Sequence, residues 1–222
     1  MTSSPPPPFE TLVLATRNAG KLAEFDRLLR PLGVRLLAAA ELGVGEVAEA
    51  GDSFADNARI KAGWAAKATG LPALADDSGL EVVGLGGLPG IHSARWAGPE
   101  RDYGRAMARI HKELTHRYGS FARAERRAAF RCVLALAWPE GGMELFEGVV
   151  EGEIVWPPRG SGGFGYDPIF RPLGEARTFA EMSREEKDRL SHRGRAARAL
   201  LRRLEELFGA TGSPGRDADP QG

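Results

Sequence analysis

Short apolar runs alternate with amphipathic stretches along most of these 222 residues, which predicts a mixed α/β protein built on a central sheet. Three observations carry that reading. A buried-type strand at Thr11–Ala15 passes directly into a helical stripe and then into a second short strand at Leu36–Ala39. The two longest strand candidates, Ala128–Trp138 and Met143–Val155, are separated only by Pro139–Gly142, the spacing of a hairpin. Finally, 222 residues of which 42% are apolar suffice for one large domain, with no composition break to split it.

The elements follow in order. Gly20–Leu32 is expected to be helical, with Leu22, Phe25, Leu28, Leu29 and Leu32 on one stripe. Ser53 opens a second helix to about Thr69, with Asp56 in a capping-box arrangement and Gly70 closing it. An apolar run, Leu71–Ala75, ends in Asp76 and Asp77, and a second strand-like run begins at Leu80 and reaches Val83. Asp102 to about Tyr118 is helical, with Tyr103, Met107, Ile110 and Leu114 in register. After the hairpin, a Gly-rich loop (157–167) leads to a short strand at Ile169–Phe170. The last helices start at Ser183, capped with Glu186, and again after Ser191, with Ala197, Leu200, Leu201, Leu204 and Phe208 facing inward. Residues 1–9 (Ser/Pro-rich) and 209–222 (Gly/Pro/Asp-rich) read as flexible tails around a single domain spanning 10–208.

Thirty basic and thirty acidic residues cancel, which argues against an extended footprint for a nucleic-acid polymer. No apolar stretch approaches the roughly 20 residues that span a bilayer, and no signal peptide is visible, so a cytoplasmic protein is expected. The one cysteine, Cys132, lies in an apolar run and reads as a core residue. Only five of the thirty basic residues are lysines, so each Lys in this Arg-rich chain stands out as a compact point charge that Arg does not replace freely.

Five segments could carry chemistry. Paired acids at the end of a buried strand repel each other and lose solvation, and a hard divalent metal arriving with phosphates would compensate them; a turn cap is the plainer alternative. Ala15–Lys21 (ATRNAGK) sits where a strand becomes a helix, an anion-binding geometry, yet it fails the Walker pattern. Asn57, Lys61 and Trp64 fall on neighbouring faces of one helix, which is either an amide and ammonium pair or simply a solvated face. In Gly160–Pro168, four glycines permit close approach to a ligand, with Phe164 and Tyr166 either stacking on a base or returning to the core. Lys187, His192 and Arg193 place positive groups at or near a helix start, against its dipole, unless the segment is a solvated charge run.

LATRNAGKLAEF, SFADNARIKA, ALADDSGLEVVGLGGLPGIHSARWAG, GGFGYDPIF and EMSREEKDRLSHRGRA, taken together and in order, resemble the inosine triphosphate pyrophosphatase family, from about Leu12 to Leu207. The resemblance implies an elongated two-lobed α/β fold, with a twisted mixed sheet and a nucleotide cleft between the lobes. It implies a homodimer that hydrolyses ITP, dITP and XTP to the monophosphate and pyrophosphate with Mg²⁺. By position, Asp77 matches the proton acceptor and metal ligand and Asp76 its acidic neighbour; both are taken as catalytic, Asp77 or its neighbour orienting or deprotonating the water, with Glu49 as a second metal ligand. Thr16, Arg17, Asn18, Ala19, Gly20 and Lys21 match the triphosphate loop. Ser78, Phe164, Gly165, Tyr166, Asp167, Lys187, His192 and Arg193 match the remaining substrate contacts, and Lys61 joins Lys21 and Lys187 as a substrate-binding charge that would offset the triphosphate.

The chain departs from the family pattern in places. Arg17 stands where many relatives are smaller, only Glu49 survives of an acidic pair, and His92 and Trp96 replace common tyrosines. Of the competing classes, a P-loop enzyme lacks its motif. A pyrimidine-directed pyrophosphatase should lack the FGYD and SHR segments, and a nucleotide sensor could dispense with adjacent aspartates.

Overall fold

Ten successive residues, Ala73–Val82, form one uninterrupted strand, β3, although the sequence reads as two strands broken at the acids. Asp76, Asp77, Ser78 and Gly79 do not interrupt it because each pairs across to the long antiparallel strand β4 (Arg127–Ala137), from Asp76↔Leu134 to Gly79↔Arg131. The computed structural model describes residues 9–16 and 19–209. Most of both expected tails, and Arg17 and Asn18 of the expected triphosphate loop, lie outside the described residues.

The other elements are β1 (Thr11–Leu14), β2 (Arg35–Ala38), β5 (Met143–Ile154) and β6 (Phe170–Pro172), with helices α1 (Ala19–Leu29), α2 (Phe54–Thr69), α3 (Ser93–Trp96), α4 (Tyr103–Tyr118), α5 (Arg184–Leu190) and α6 (His192–Gly209). Together the strands make a six-stranded mixed sheet in the order β2-β1-β3-β4-β5-β6. β1 runs parallel to β2 and β3, and the remaining pairs are antiparallel, with β4 and β5 forming the expected hairpin. Gly209 closes α6 and so belongs to a helix, where its composition suggested a tail.

Side chains alternate across the sheet. One face carries Leu12, Leu14, Leu74, Leu134 and Leu136 against Phe25 and Leu29 of α1 and Leu200 and Leu204 of α6. On the opposite face Val13, Ala73, Ala75, Val133 and Ala135 meet Ala58, Ala62, Ala65 and Ala66 of α2, whose small residues leave little between helix and sheet. Farther along the strands, Leu80, Val82, Phe130, Val150 and Ile154 build another cluster with Ile110 and Leu114 of α4. The polar stretch 76–79 falls between these clusters.

Helix starts follow local chemistry. Ser53 Oγ accepts the Asp56 N–H at 3.1 Å, a cap worth about 1 kcal/mol. The Asp56 carboxylate takes the Ser53 hydroxyl at 2.7 Å rather than the backbone N–H that a full capping box requires. At Ser183 the box is complete, with Glu186 accepting the Ser183 N–H at 2.8 Å. Gly148 of β5 is dictated by the last helix: a Cβ there would stand 2.0 Å from the His192 carbonyl oxygen. Its absence lets the start of α6 settle onto the sheet and carries His192 and Arg193 toward β3.

Candidate functional site

The site begins with a mismatch in strand length. β1 pairs with β3 only through Val13↔Ala73 and Leu14↔Leu74, after which the chain leaves toward α1. Beyond Leu74 that edge of β3 has no strand beside it among the described residues. A cleft of about 1050 Å³ opens there, lined by Lys21, Glu49, Lys61, Asp76, Asp77 and Phe164 among others.

Because β3 is continuous, its two adjacent acids point to opposite faces of the sheet. The strand thus separates two acids that the sequence places side by side, although Asp76 still repels the charge on Asp77. Each has its own protein cation. Asp76, 4% exposed, accepts from Lys21 Nζ at 2.5 Å, Arg193 Nε at 2.7 Å and Ser78 Oγ at 2.9 Å, with Cys132 Sγ 3.6 Å away. Burial works against its charge, but Arg193 and Lys21 overcome it and hold the carboxyl well below the usual carboxylate range. Asp77 faces α2, where Lys61 Nζ lies 2.6 Å from its Oδ1. There burial pushes the carboxyl up, Lys61 opposes, and Glu49 and Asp76 add to the rise.

Lys61 is shared. Its ammonium also donates to Glu49 Oε1 and to the Asp76 main-chain oxygen, both at 2.9 Å. Burial disfavours that ammonium, yet the two carboxylates more than compensate and raise its pKa. The α2 face is divided: Asn57 is 1% exposed with its Oδ1 accepting the Gly51 N–H, whereas Trp64 is 47% exposed, its indole donating to the Gly45 carbonyl at 3.1 Å. Glu49 sits in an irregular segment after residue 43, and sequence reasoning missed what holds it. Arg95 Nη2 donates to the Glu49 carbonyl at 3.2 Å, and only its place in the SARWAG motif hinted at a role.

Asp77 and Glu49 were expected to hold a metal. Among the described residues no group of three or more His, Cys, Asp and Glu side chains is placed to bind one. Two carboxylate oxygens and one carbonyl oxygen nevertheless converge on a single cationic point, and hard oxygen donors of that kind suit Mg²⁺ once substrate oxygens complete the shell.

The Gly-rich loop divides its two aromatics. Phe164 is 54% exposed, whereas Tyr166 is buried with its hydroxyl donating to the Ser93 carbonyl at 2.8 Å. The loop is fastened from beneath: Asp167, 2% exposed, accepts the Phe164 N–H at 2.7 Å and the Lys187 ammonium. Gly163, at φ 70°, must be glycine because a Cβ would collide with the Asp167 carboxylate at 2.1 Å. Lys187 Nζ also lies 4.1 Å from the Phe164 ring centroid, and Arg193 Cζ lies 5.5 Å from it.

The charge at the start of α6 is resolved locally. Arg193 is paired with Asp76, and the His192 ring stacks on Phe130 at 4.8 Å between centroids. Burial, reinforced by Arg193, drives the His192 pKa well below its usual value, so the ring is neutral and the dipole objection disappears. Its Nδ1 has no hydrogen-bond partner among the described residues. Thr16, Ser78 and Gly165 also line the cleft, and Ala19 and Gly20 form the first residues of α1. Cys132 is indeed a core residue, at 0% exposure, and burial raises its thiol pKa far above normal.

Fold and site together define an α/β protein whose split sheet opens into a cation-lined cleft. Residues 12–203 match the model of the Ham1 family, and the chain belongs to that family. It is 51% identical over 195 residues to a dITP/XTP pyrophosphatase of Ruegeria pomeroyi, covering 87% of this chain and 94% of that protein. A dITP/XTP pyrophosphatase of Rhodopseudomonas palustris is 54% identical over 192 residues, covering 83% and 91% respectively. Among solved structures, a HAM1 protein from Coxiella burnetii superposes with a TM-score of 0.83 at 42% identity, covering 89% of this chain and all of that one. No helix among the described residues is long and apolar enough to cross a membrane.

Proposed function

We propose that this protein hydrolyses non-canonical purine nucleoside triphosphates, namely ITP, dITP and XTP, to the monophosphate and pyrophosphate, keeping them out of DNA and RNA. The observation that carries the proposal is the ring of three lysines, Lys21, Lys61 and Lys187, each held by a carboxylate of the cleft with the exposed Phe164 ring nearby. Family membership and the activity named for its relatives agree with it. The hydrophobic clusters on either side of residues 76–79 are the two lobes of one domain spanning 10–208, and the nucleotide lies between them.

In this reading the triphosphate lies along the free edge of β3. Lys21, Thr16 and the start of α1 receive its phosphates, helped by the positive end of the helix dipole. Phe164 stacks on the purine, and the unpartnered Nδ1 of His192 supports a role in reading the base edge. Tyr166 and Asp167 contribute by fixing the loop. Arg193, bound to Asp76 and Ser78, closes the floor below Phe164. Water attacks the α-phosphorus; the new O–P bond forms as the bond to the β-phosphate oxygen breaks, and Asp77 takes the water proton. Asp76, saturated by two cations, holds Lys21 and Arg193 in place and takes no proton. Asp77 and Glu49 would hold Mg²⁺, which when bound neutralises phosphate charge and aligns the reacting groups.

The decisive assay incubates the protein with dITP, XTP, dGTP, dATP and dUTP, with and without Mg²⁺. Pyrophosphate released from dITP and XTP alone is the expected result, whereas orthophosphate release or equal use of dUTP overturns the assignment. The proposal includes a homodimer, tested by sedimentation equilibrium, and a cytoplasmic location, tested by cell fractionation.

A further inference from the structure

Lys61 occupies a position normally associated with an ion. Its Nζ lies 2.6 Å from Asp77 Oδ1, 2.9 Å from Glu49 Oε1 and 2.9 Å from the Asp76 main-chain oxygen. Those oxygens come from two chain segments, the irregular stretch before α2 and the free edge of β3. The ammonium itself comes from a third element, the middle of α2. We propose that Lys61 is a placeholder cation: in the nucleotide-free protein its ammonium fills the divalent-ion position and keeps free metal out until a triphosphate draws it away. This rests on the assignment of Asp77 and Glu49 as the metal ligands.

The argument is one of space and charge. Mg²⁺ needs oxygen ligands at about 2.0–2.1 Å, so an ion on Asp77 and Glu49 would lie within the same oxygen cage as Nζ. Two cations cannot share that cage without strong repulsion. The helix cannot move the lysine aside, because Phe54, Ala58, Ala62 and Ala65 anchor α2 in the core. Only the flexible stem can swing, and the lysine already lines the cleft into which it would turn. A triphosphate entering there offers the ammonium new anionic partners and brings oxygens that complete the metal shell. Nucleotide and metal therefore arrive together, and the ammonium passes from carboxylate to phosphate without any covalent change. Lysine suits this exchange and arginine does not, since a planar guanidinium cannot mimic a point ion among three converging oxygens.

The test is Mn²⁺ binding followed by loss of the free-ion EPR signal. Without nucleotide, wild-type protein should bind Mn²⁺ weakly, while Lys61→Met binds on the order of tenfold tighter or more. Adding Asp77→Asn to Lys61→Met should abolish the gain. A Lys61→Met protein that binds free Mn²⁺ no better than wild type overturns the proposal; Lys61→Gln serves if the Met variant does not fold. A wild-type measurement covers the failure of both: the Lys61 ammonium protons, held by three oxygens, should exchange slowly by NMR, and a non-hydrolysable α,β-methylene dITP analogue added without metal should change that exchange. Unchanged exchange counts against the placeholder. Wild type loaded with the analogue separates the two levels. If it binds Mn²⁺ in an Asp77-dependent manner while Lys61→Met shows no gain, the placeholder fails and the metal assignment stands. If the loaded protein binds no Mn²⁺ through Asp77, the assignment itself fails.

Discussion

Replacing Asp76 with Asn separates the two acids of β3 by what each does. The substitution removes a charge that is 4% exposed and leaves Lys21 and Arg193 facing a neutral amide. Removing one partner of a buried ion pair costs about 3–5 kcal/mol. Two features place this case at the low end. The Lys21 side chain is 19% exposed and can turn toward water, and the Asn oxygen can still accept from Arg193. Arg193, at 5%, has no such escape. A loss of about 3 kcal/mol corresponds to a Tm lower by about 6–12 °C for a domain of this size. Acid supplies a second signature. The native carboxyl titrates below its unfolded value near 3.9, so its contribution is full above that pH and fades as the pH falls through the depressed native value. Guanidinium unfolding of both proteins at pH 7.5, 5 and 3 should show a constant gap between the first two and a narrower one at pH 3. A gap under about 1 kcal/mol at pH 7.5, or one that widens in acid, refutes the reasoning.

Asp77→Asn should do the reverse, lowering turnover ~100-fold or more while nucleotide still binds and stability changes little; near-normal turnover would remove Asp77 as the base. Phe164→Ala should raise KM for all purine substrates by about 5- to 100-fold with kcat nearly unchanged, the effect of losing a stacking surface worth about 1–3 kcal/mol; a fall in kcat alone would place the ring elsewhere. His192 is neutral when buried and protonates only on unfolding near its ordinary pKa of about 6.5, so stability should fall as pH drops below that value, by up to ~1.4 kcal/mol per pH unit. In His192→Gln that slope should be lost between pH 6.5 and 5.5, and an identical slope in both proteins would contradict the buried neutral ring.

Much of the architecture was legible because it is locally encoded. The α2 cap at Ser53, the box at Ser183 and Glu186 and the turn between β4 and β5 each follow from a few adjacent residues. Residues of all five motifs line one cleft, so the sequence segments that drew attention are neighbours in the fold. What the sequence concealed depends on partners distant along the chain. Nothing near Asp76 announces that Arg193, 117 positions away, will neutralise it. Polarity at 76–79 imitates a strand end, and only pairing with β4 shows that the strand continues. Phe164 and Tyr166, two residues apart, take opposite fates because Ser93 supplies a carbonyl to one of them.

The uninterrupted run of β3 through its two aspartates makes their roles a matter of parity. Deleting one residue of the three from Ala73 to Ala75 would exchange them, sending the would-be base toward Arg193 and the anchor toward Lys61, although the composition of the strand would hardly change. Deleting two would restore the sides and merely shorten the approach. Ancestral insertions here should therefore survive in even numbers, a constraint that comes from the pleat alone.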